Sequence, residues 1–252
     1  MFKEERKETI IELLKKRKFA SVRELCSVLF ASEPTIRRDL TVLEREGLIR
    51  RSHGGAMLVE DELFRPLGFR KNSMQPEKRA IAQKAVELIS EGAVLFVDAS
   101  TTALNLIPLL QGRKVTVISN GLAALSLMQE LKVPAKCTGG DLLTDSMCFV
   151  GRAAEQYIAA LRADILFYSV SCLNEMGEIT DYSEEETYLR REMLRCARKK
   201  VLLLDSSKYG KTATFPVATI EETDYVISGM SCPKALKGRC NWICVDDEKV
   251  KV

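Results

Sequence analysis

The sequence predicts an α/β protein in two parts: a short basic segment of three helices and a hairpin, then a larger domain of strands and helices on a mostly parallel sheet. Three observations carry this reading. Apolar residues recur at helical spacing through residues 3–47. From residue 93 onward short apolar runs alternate with helical stretches. The charge excess is confined to one end: of a net +3, residues 15–55 hold ten basic against five acidic side chains, while residues 61–252 hold 25 of each. That placement suits an anionic polymer.

With 46% hydrophobic and 29% charged residues, the 252-residue chain can bury a substantial core. There is no run of eighteen apolar residues, and "MFKEERKETI" lacks a signal-peptide core, so no membrane span is expected and the cytoplasm is. The eight cysteines are scattered without a CxxC pair and read as buried thiols of a reducing compartment. Cys232, Cys240 and Cys244 come nearest to a metal cluster but lack a fourth ligand, so neither metal nor cofactor is expected. The single histidine, His53, excludes HExxH and other multi-histidine sites.

In order along the chain, Ile10, Leu13 and Leu14 mark a first helix that ends near Lys16, where "RKFA" breaks the pattern. Ser21 and Glu24 form a capping box for a second, with Val22, Leu25, Val28 and Leu29 on its apolar face and its end near Phe30. Ser32 caps the third, Pro34 fits its first turn, and Gly47 stops it. Ile36, Leu40 and Leu43 must face the core, which leaves Thr35, Arg38, Thr41 and Arg45 outward and Arg37 at the border. "LIRRSHGGAML" then reads as a hairpin turning at Gly54-Gly55. Charged residues on one helix would ordinarily be solvated. Here cap, turn, core face, hairpin and charge agree on a winged helix-turn-helix, whose second helix meets base edges in the major groove.

"SVRELCSVLFASEPTIRRDLTVLEREGLIRRSHGGA" resembles the N-terminal winged helix-turn-helix of the DeoR family of bacterial transcription regulators, with its TIRRDL core, following LE..G, and R.HGGA. The resemblance covers about residues 3–57 and implies DNA contacts from Ser32, Thr35, Arg37, Arg38, Thr41 and Arg45, with Arg50, Arg51 and His53 from the wing.

Residues 58–75 lose periodicity and mark a linker between a DNA-binding domain at 1–57 and a second domain at 76–252. "PEKRAIAQKAVELISEG" reads as a helix. Strands are expected at 93–97, 114–119, 134–139, 164–170, 200–205 and 224–228. In such sheets ligands sit beyond the C-terminal strand ends. There "DASTT" leads into a helix where hydroxyls can cradle a phosphate, although hydroxyl caps are common in any protein. "SNG", "GGD" and "DSSK" add amide, small and cationic groups at other strand ends, as an anionic polyol requires.

The second domain also resembles the DeoR family, whose sensor domain shares the ribose-5-phosphate isomerase fold and typically answers to phosphorylated sugars or related metabolites. The resembling pieces include "EKRAIAQKA", "VDASTT", "SNGLAAL", "FVGRAAE" and "LLLDSSKYGK". The resemblance implies that Asp98, Ser100, Thr101 and Thr102 meet the phosphate end of an effector. Asn120, Glu186 and Lys208 would address its sugar or close the pocket, with Gly139, Gly140 and Gly151 completing the site. Ser100 stands where the family usually has glycine, "SVSCLN" is bulkier than the family's glycine-rich strand end, and the arginine often found after the GG pair is missing from "GGDLLTDS".

The expected function is therefore a DNA-binding transcription regulator, a repressor by family habit, controlled by a phosphorylated sugar-like effector and acting as a homo-oligomer, dimer or tetramer, on a two-fold DNA operator. An isomerase using Asp98, Glu186 and Lys208 is a second reading, which leaves the DNA-reading module unexplained. A third is a DNA-binding regulator without a small-molecule effector.

Overall fold

The computed structural model describes residues 3–17, 19–45, 48–52, 54–58 and 73–245. The chain divides into two units, Met1–Ser73 and Met74–Val252. Most of the expected linker, residues 59–72, lies outside the described residues, as do Gly47 and His53.

The first unit runs α1 (Lys3–Arg17), β1 (Phe19–Ser21), α2 (Val22–Leu29), α3 (Glu33–Arg45), β2 (Ile49–Ser52) and β3 (Gly55–Leu58). The capping box forms as its residues dictate: Glu24 N donates to Ser21 Oγ at 3.2 Å, and Ser21 N donates to Glu24 Oε2 at 2.8 Å. Ile36, Leu40 and Leu43 are fully buried with Ile10, Leu14 and Leu25. Arg6 Nε adds a 2.5 Å ion pair from α1 to the buried Asp39 of α3.

Two details differ from the periodicity. Val28 is exposed rather than part of the α2 face, because at 100° per residue it falls beyond the stripe set by Val22, Leu25 and Leu29. The "RKFA" break contains a strand, β1, so the hairpin becomes a three-stranded antiparallel sheet of order β1-β3-β2. Gly55 makes that possible: a Cβ there would lie 2.5 Å from Ala20 O.

The second unit runs α4 (Gln75–Ala85), β4 (Val94–Val97), a 3-10 helix (Ala103–Leu110), β5 (Thr116–Ser119), α5 (Leu122–Glu130), β6 (Ala135–Cys137), β7 (Asp141–Leu143), β8 (Cys148–Val150) and α6 (Arg152–Ala159). It continues through β9 (Ala163–Tyr168), β10 (Cys172–Leu173), β11 (Glu178–Asp181), α7 (Glu184–Cys196), β12 (Ala197–Leu204), β13 (Phe215–Thr219), β14 (Tyr225–Ser228) and β15 (Asn241–Cys244). Seven strands form one sheet of order β15-β14-β12-β9-β4-β5-β6, every pair parallel. The six strands expected from apolar runs all lie in it, which establishes the α/β class. Leu95 and Val97 pack into one core with α4, the 3-10 helix and α5, while Phe96 packs into the other with α6 and α7. The result is helices on both faces of a parallel sheet.

The sheet runs in two directions from its middle. β4, β5 and β6 proceed one way, and β9, β12, β14 and β15 the other, so the order reverses between β4 and β9. Ligands in open parallel sheets bind beyond such a reversal.

The thiols are not uniformly buried: Cys137 and Cys244 are exposed because they end the two edge strands, whereas Cys148, Cys172 and Cys196 are buried. Burial pushes the Cys148 thiol up to about 12. Iodoacetamide at pH 8 is therefore expected to label Cys137 and Cys244 in the native protein and to reach Cys148, Cys172 and Cys196 only in denaturant, read by peptide mass spectrometry. Native-state labelling of Cys148 would contradict this packing.

Candidate nucleic-acid interface and ligand site

In the first unit α3 follows α2 after three residues. Ser32 O accepts from Ile36 N at 3.0 Å, and the hydroxyls of Ser32 and Thr35 lie 2.9 Å apart at the start of α3. Arg38 is exposed on the face opposite the buried Ile36 and Leu40. Its neighbour Arg37 is turned back along the helix, with Nε 2.9 Å and Nη2 2.6 Å from Glu33 Oε1. Thr41 Oγ1 donates to Arg37 O at 2.8 Å and accepts from Arg51 Nη1 at 3.2 Å, so β2 brings Arg51 beside α3. The side chains of Arg45 and Arg50 lie outside the described residues, as does His53.

In the second unit the polar groups gather where β4 and β9 end. Asp98, the first residue past β4, is buried and uses both oxygens: Oδ1 accepts from Ser100 N at 3.0 Å, and Oδ2 from Ser169 N at 3.1 Å and Arg190 Nε at 3.3 Å. Arg190 also reaches Asp181 at 2.9 Å and Glu186 at 3.5 Å. Burial alone disfavours the guanidinium charge, but Asp181, Asp98 and Glu186 outweigh it and hold its pKa above the ordinary value. Lys208 Nζ donates to Ser169 Oγ at 2.7 Å, and that hydroxyl donates to Leu203 O. Burial pushes the Asp205 carboxyl up, but Lys208, the Ser207 hydroxyl and Lys78 together hold it below its usual value.

The loop after β4 places the hydroxyls differently. Ser100 Oγ accepts from Ala103 N at 3.1 Å and caps the following turn, while Thr101 Oγ1 accepts from the buried Lys78 Nζ at 3.1 Å. The helix that follows "DASTT" is a 3-10 helix, Ala103–Leu110, with Pro108 inside it. The Thr102 hydroxyl and Asn120 Oδ1 are buried with no hydrogen-bond partner among the described residues. Asn120 is anchored by its amide, Nδ2 donating to Phe149 O at 3.1 Å. Gly121 brings the β5 loop against the β4 loop, since a Cβ there would stand 3.0 Å from Ala99 Cα. Gly139, Gly140 and Gly151 all have positive φ and shape the β7–β8 hairpin; a Cβ on Gly140 would lie 2.2 Å from Val150 O. Among the described residues no three His, Cys, Asp or Glu side chains are grouped to hold a metal ion.

Residues 6–62 match the family model of the DeoR-like helix-turn-helix domain, and residues 73–230 match that of the DeoR C terminal sensor domain. The chain belongs to the DeoR family of transcription regulators. This DeoR-family regulator is 36% identical to the HTH-type transcriptional regulator GolR of Listeria innocua over 94% of each chain. It is 31% identical to the glycerol-3-phosphate regulon repressor of Escherichia coli over 89% of this chain and 90% of that one. Among solved structures it is similar to ribose 5-phosphate isomerase A of Methanocaldococcus jannaschii, 20% identical over 52% of this chain and 53% of that one, with a TM-score of 0.39.

Several residues of this DeoR-family site escape periodicity. Glu77 and Lys78 stand among charges at a helix start, yet both are buried: Glu77 accepts from Ser206 N at 2.8 Å and Gly229 N at 3.1 Å, clamping the ends of β12 and β14. Arg190 stands among charges on α7, and its spacing of four from Glu186 is the one sequence signal for the ion pair. A separate cleft of about 610 Å³ is lined by residues of α7 and β13, including Arg191, Leu194 and Val217. None of the expected effector residues lines it. Its arginines are already used, Arg191 on Pro216 O and Arg195 on Glu192. The strand-end cluster differs from that cleft in holding buried polar atoms, Thr102 Oγ1 and Asn120 Oδ1, that have no hydrogen-bond partner among the described residues.

Proposed function

We propose that this DeoR-family regulator binds a two-fold duplex operator as a homo-oligomer, through α3 and the wing, and that a phosphorylated sugar or related polyol phosphate beyond the C-terminal ends of β4 and its neighbours β5 and β9 alters that binding. The observation that carries the ligand reading is the pair of buried, unpartnered groups, Thr102 Oγ1 and Asn120 Oδ1, on touching loops after adjacent parallel strands. A hydroxyl donor suits a phosphate oxygen and an amide carbonyl suits a sugar hydroxyl. Lys78, held on Thr101, adds the positive charge a phosphate requires. Regulators named for glycerol 3-phosphate among the relatives support the same ligand class.

Binding without catalysis is the reading the carboxylates support. Asp98 spends both oxygens on protein donors and Glu186 pairs with Arg190, so neither is poised as a proton acceptor.

For DNA, Arg38 is the exposed reader on α3 and Arg51 the wing's backbone contact. Arg38→Ala is expected to reduce discrimination between a preferred duplex and a scrambled one by about 1–3 kcal/mol. Arg51→Ala is expected to weaken both duplexes alike and to flatten the log–log salt slope by about 1. Fluorescence anisotropy titrations at several salt concentrations separate the two roles; unchanged discrimination in Arg38→Ala would remove its assignment.

A further inference from the structure

Helix α2 ends on Phe30, whose backbone is left-handed, with φ 49° and ψ 42°, and whose N–H bonds to Cys26 O. A left-handed residue is what lets the chain turn at once toward α3, and glycine or asparagine adopts that conformation with little crowding. A phenylalanine is strained there. This one gains no packing in return: at 96% it is the most exposed large apolar side chain among the described residues. Backbone strain and a solvated ring are two separate costs, and nothing among the described residues of this unit offsets either, which points to a role for the ring outside it.

Its position says what. Phe30 is two residues from Ser32, so their Cα atoms are at most about 7 Å apart. Ser32 and Thr35 open α3, and the exposed Arg38 follows one turn later. Phe30 therefore lies close to any duplex that takes this end of α3 into its major groove. The apolar group that a major groove presents is the C5-methyl of thymine, which phenylalanine contacts favourably. We propose that Phe30 is a specificity-determining residue, its ring packing on a thymine methyl at the edge of each operator half-site. The inference rests on the DNA-binding reading above.

The test uses the full chain and the duplex it enriches from a randomised DNA pool. Phe30→Gly and Phe30→Asn both suit the left-handed backbone, so both are expected to fold and to melt at or above the wild-type temperature. Each should bind the enriched duplex about fivefold more weakly, the low end of what one base position contributes, and a random duplex as well as the wild type does. Replacing thymines one at a time by deoxyuridine, which lacks the methyl, should cost the wild type a similar factor at one position per half-site and cost Phe30→Gly nothing there. Variants that keep wild-type affinity and the wild-type deoxyuridine pattern overturn the inference. So does a change in oligomeric state with DNA binding intact, which would mark Phe30 as a protein contact. If the wild type enriches no duplex at all, the DNA-binding reading fails as well.

Discussion

Replacing Arg190 by methionine is expected to remove about 3–5 kcal/mol of stability from the second unit at neutral pH, the usual consequence of breaking a buried ion pair from one side. The guanidinium is buried and serves three carboxylates, on Asp98, Asp181 and Glu186. Methionine keeps much of the length and the apolar contacts but leaves three negative charges close together with little water. Lysine should recover only part of the loss, because a single ammonium cannot span three acceptors. Urea unfolding of both variants at pH 7 measures both effects. A loss under about 1 kcal/mol at neutral pH would mean that Arg190 does not organise the cluster.

The second large effect divides stability from ligand binding. Thr102 buries a hydroxyl that has no partner among the described residues, and an unsatisfied buried polar group costs about 1–3 kcal/mol. Thr102→Val is therefore expected to make the ligand-free protein more stable by about 1 kcal/mol, since the apolar replacement has nearly the same shape. The wild type should gain about 2.7 kcal/mol from an effector at 100 times its dissociation constant. The valine variant should gain little, having lost a donor to the phosphate. Thermal unfolding with a panel of sugar and polyol phosphates, each beside its unphosphorylated counterpart, checks both halves. A variant less stable at rest, or one that still responds fully, would dissociate Thr102 from the site.

The architecture was legible wherever local chemistry and burial coincide. The central strands β4, β5, β9, β12 and β14 sit between two helical layers and so read as apolar runs. β15 and the small antiparallel sheet β10-β11-β13 did not stand out, because "NWIC" is half exposed, β10 is two residues long, and β13 contains Pro216. In the first unit the capping box and the Ile36, Leu40 and Leu43 triplet were enough to set the rotation of α3. The candidate ligand site drew its strand-end residues from the sequence because they follow directly on buried strands. Glu77, Lys78 and Arg190 were not, because each sits on a helix among other charges and only the tertiary fold removes it from water. Phe30 marked the end of α2 in the sequence, but spacing holds no sign that its ring would stand in solvent.

In the proposed regulator, ligand at the sheet and DNA at α3 bias the same protein. Coupling of that kind is reciprocal: whatever factor the ligand applies to DNA affinity, DNA applies to ligand affinity. Calorimetric titration of the phosphate panel, glycerol 3-phosphate included, into the full chain with and without its enriched duplex measures this directly. One phosphorylated ligand is expected to bind with affinities that differ at least about fivefold between the two titrations, and to change duplex affinity by the same factor. Equal ligand affinity with and without DNA, or no binding by any phosphorylated member of the panel, would contradict it.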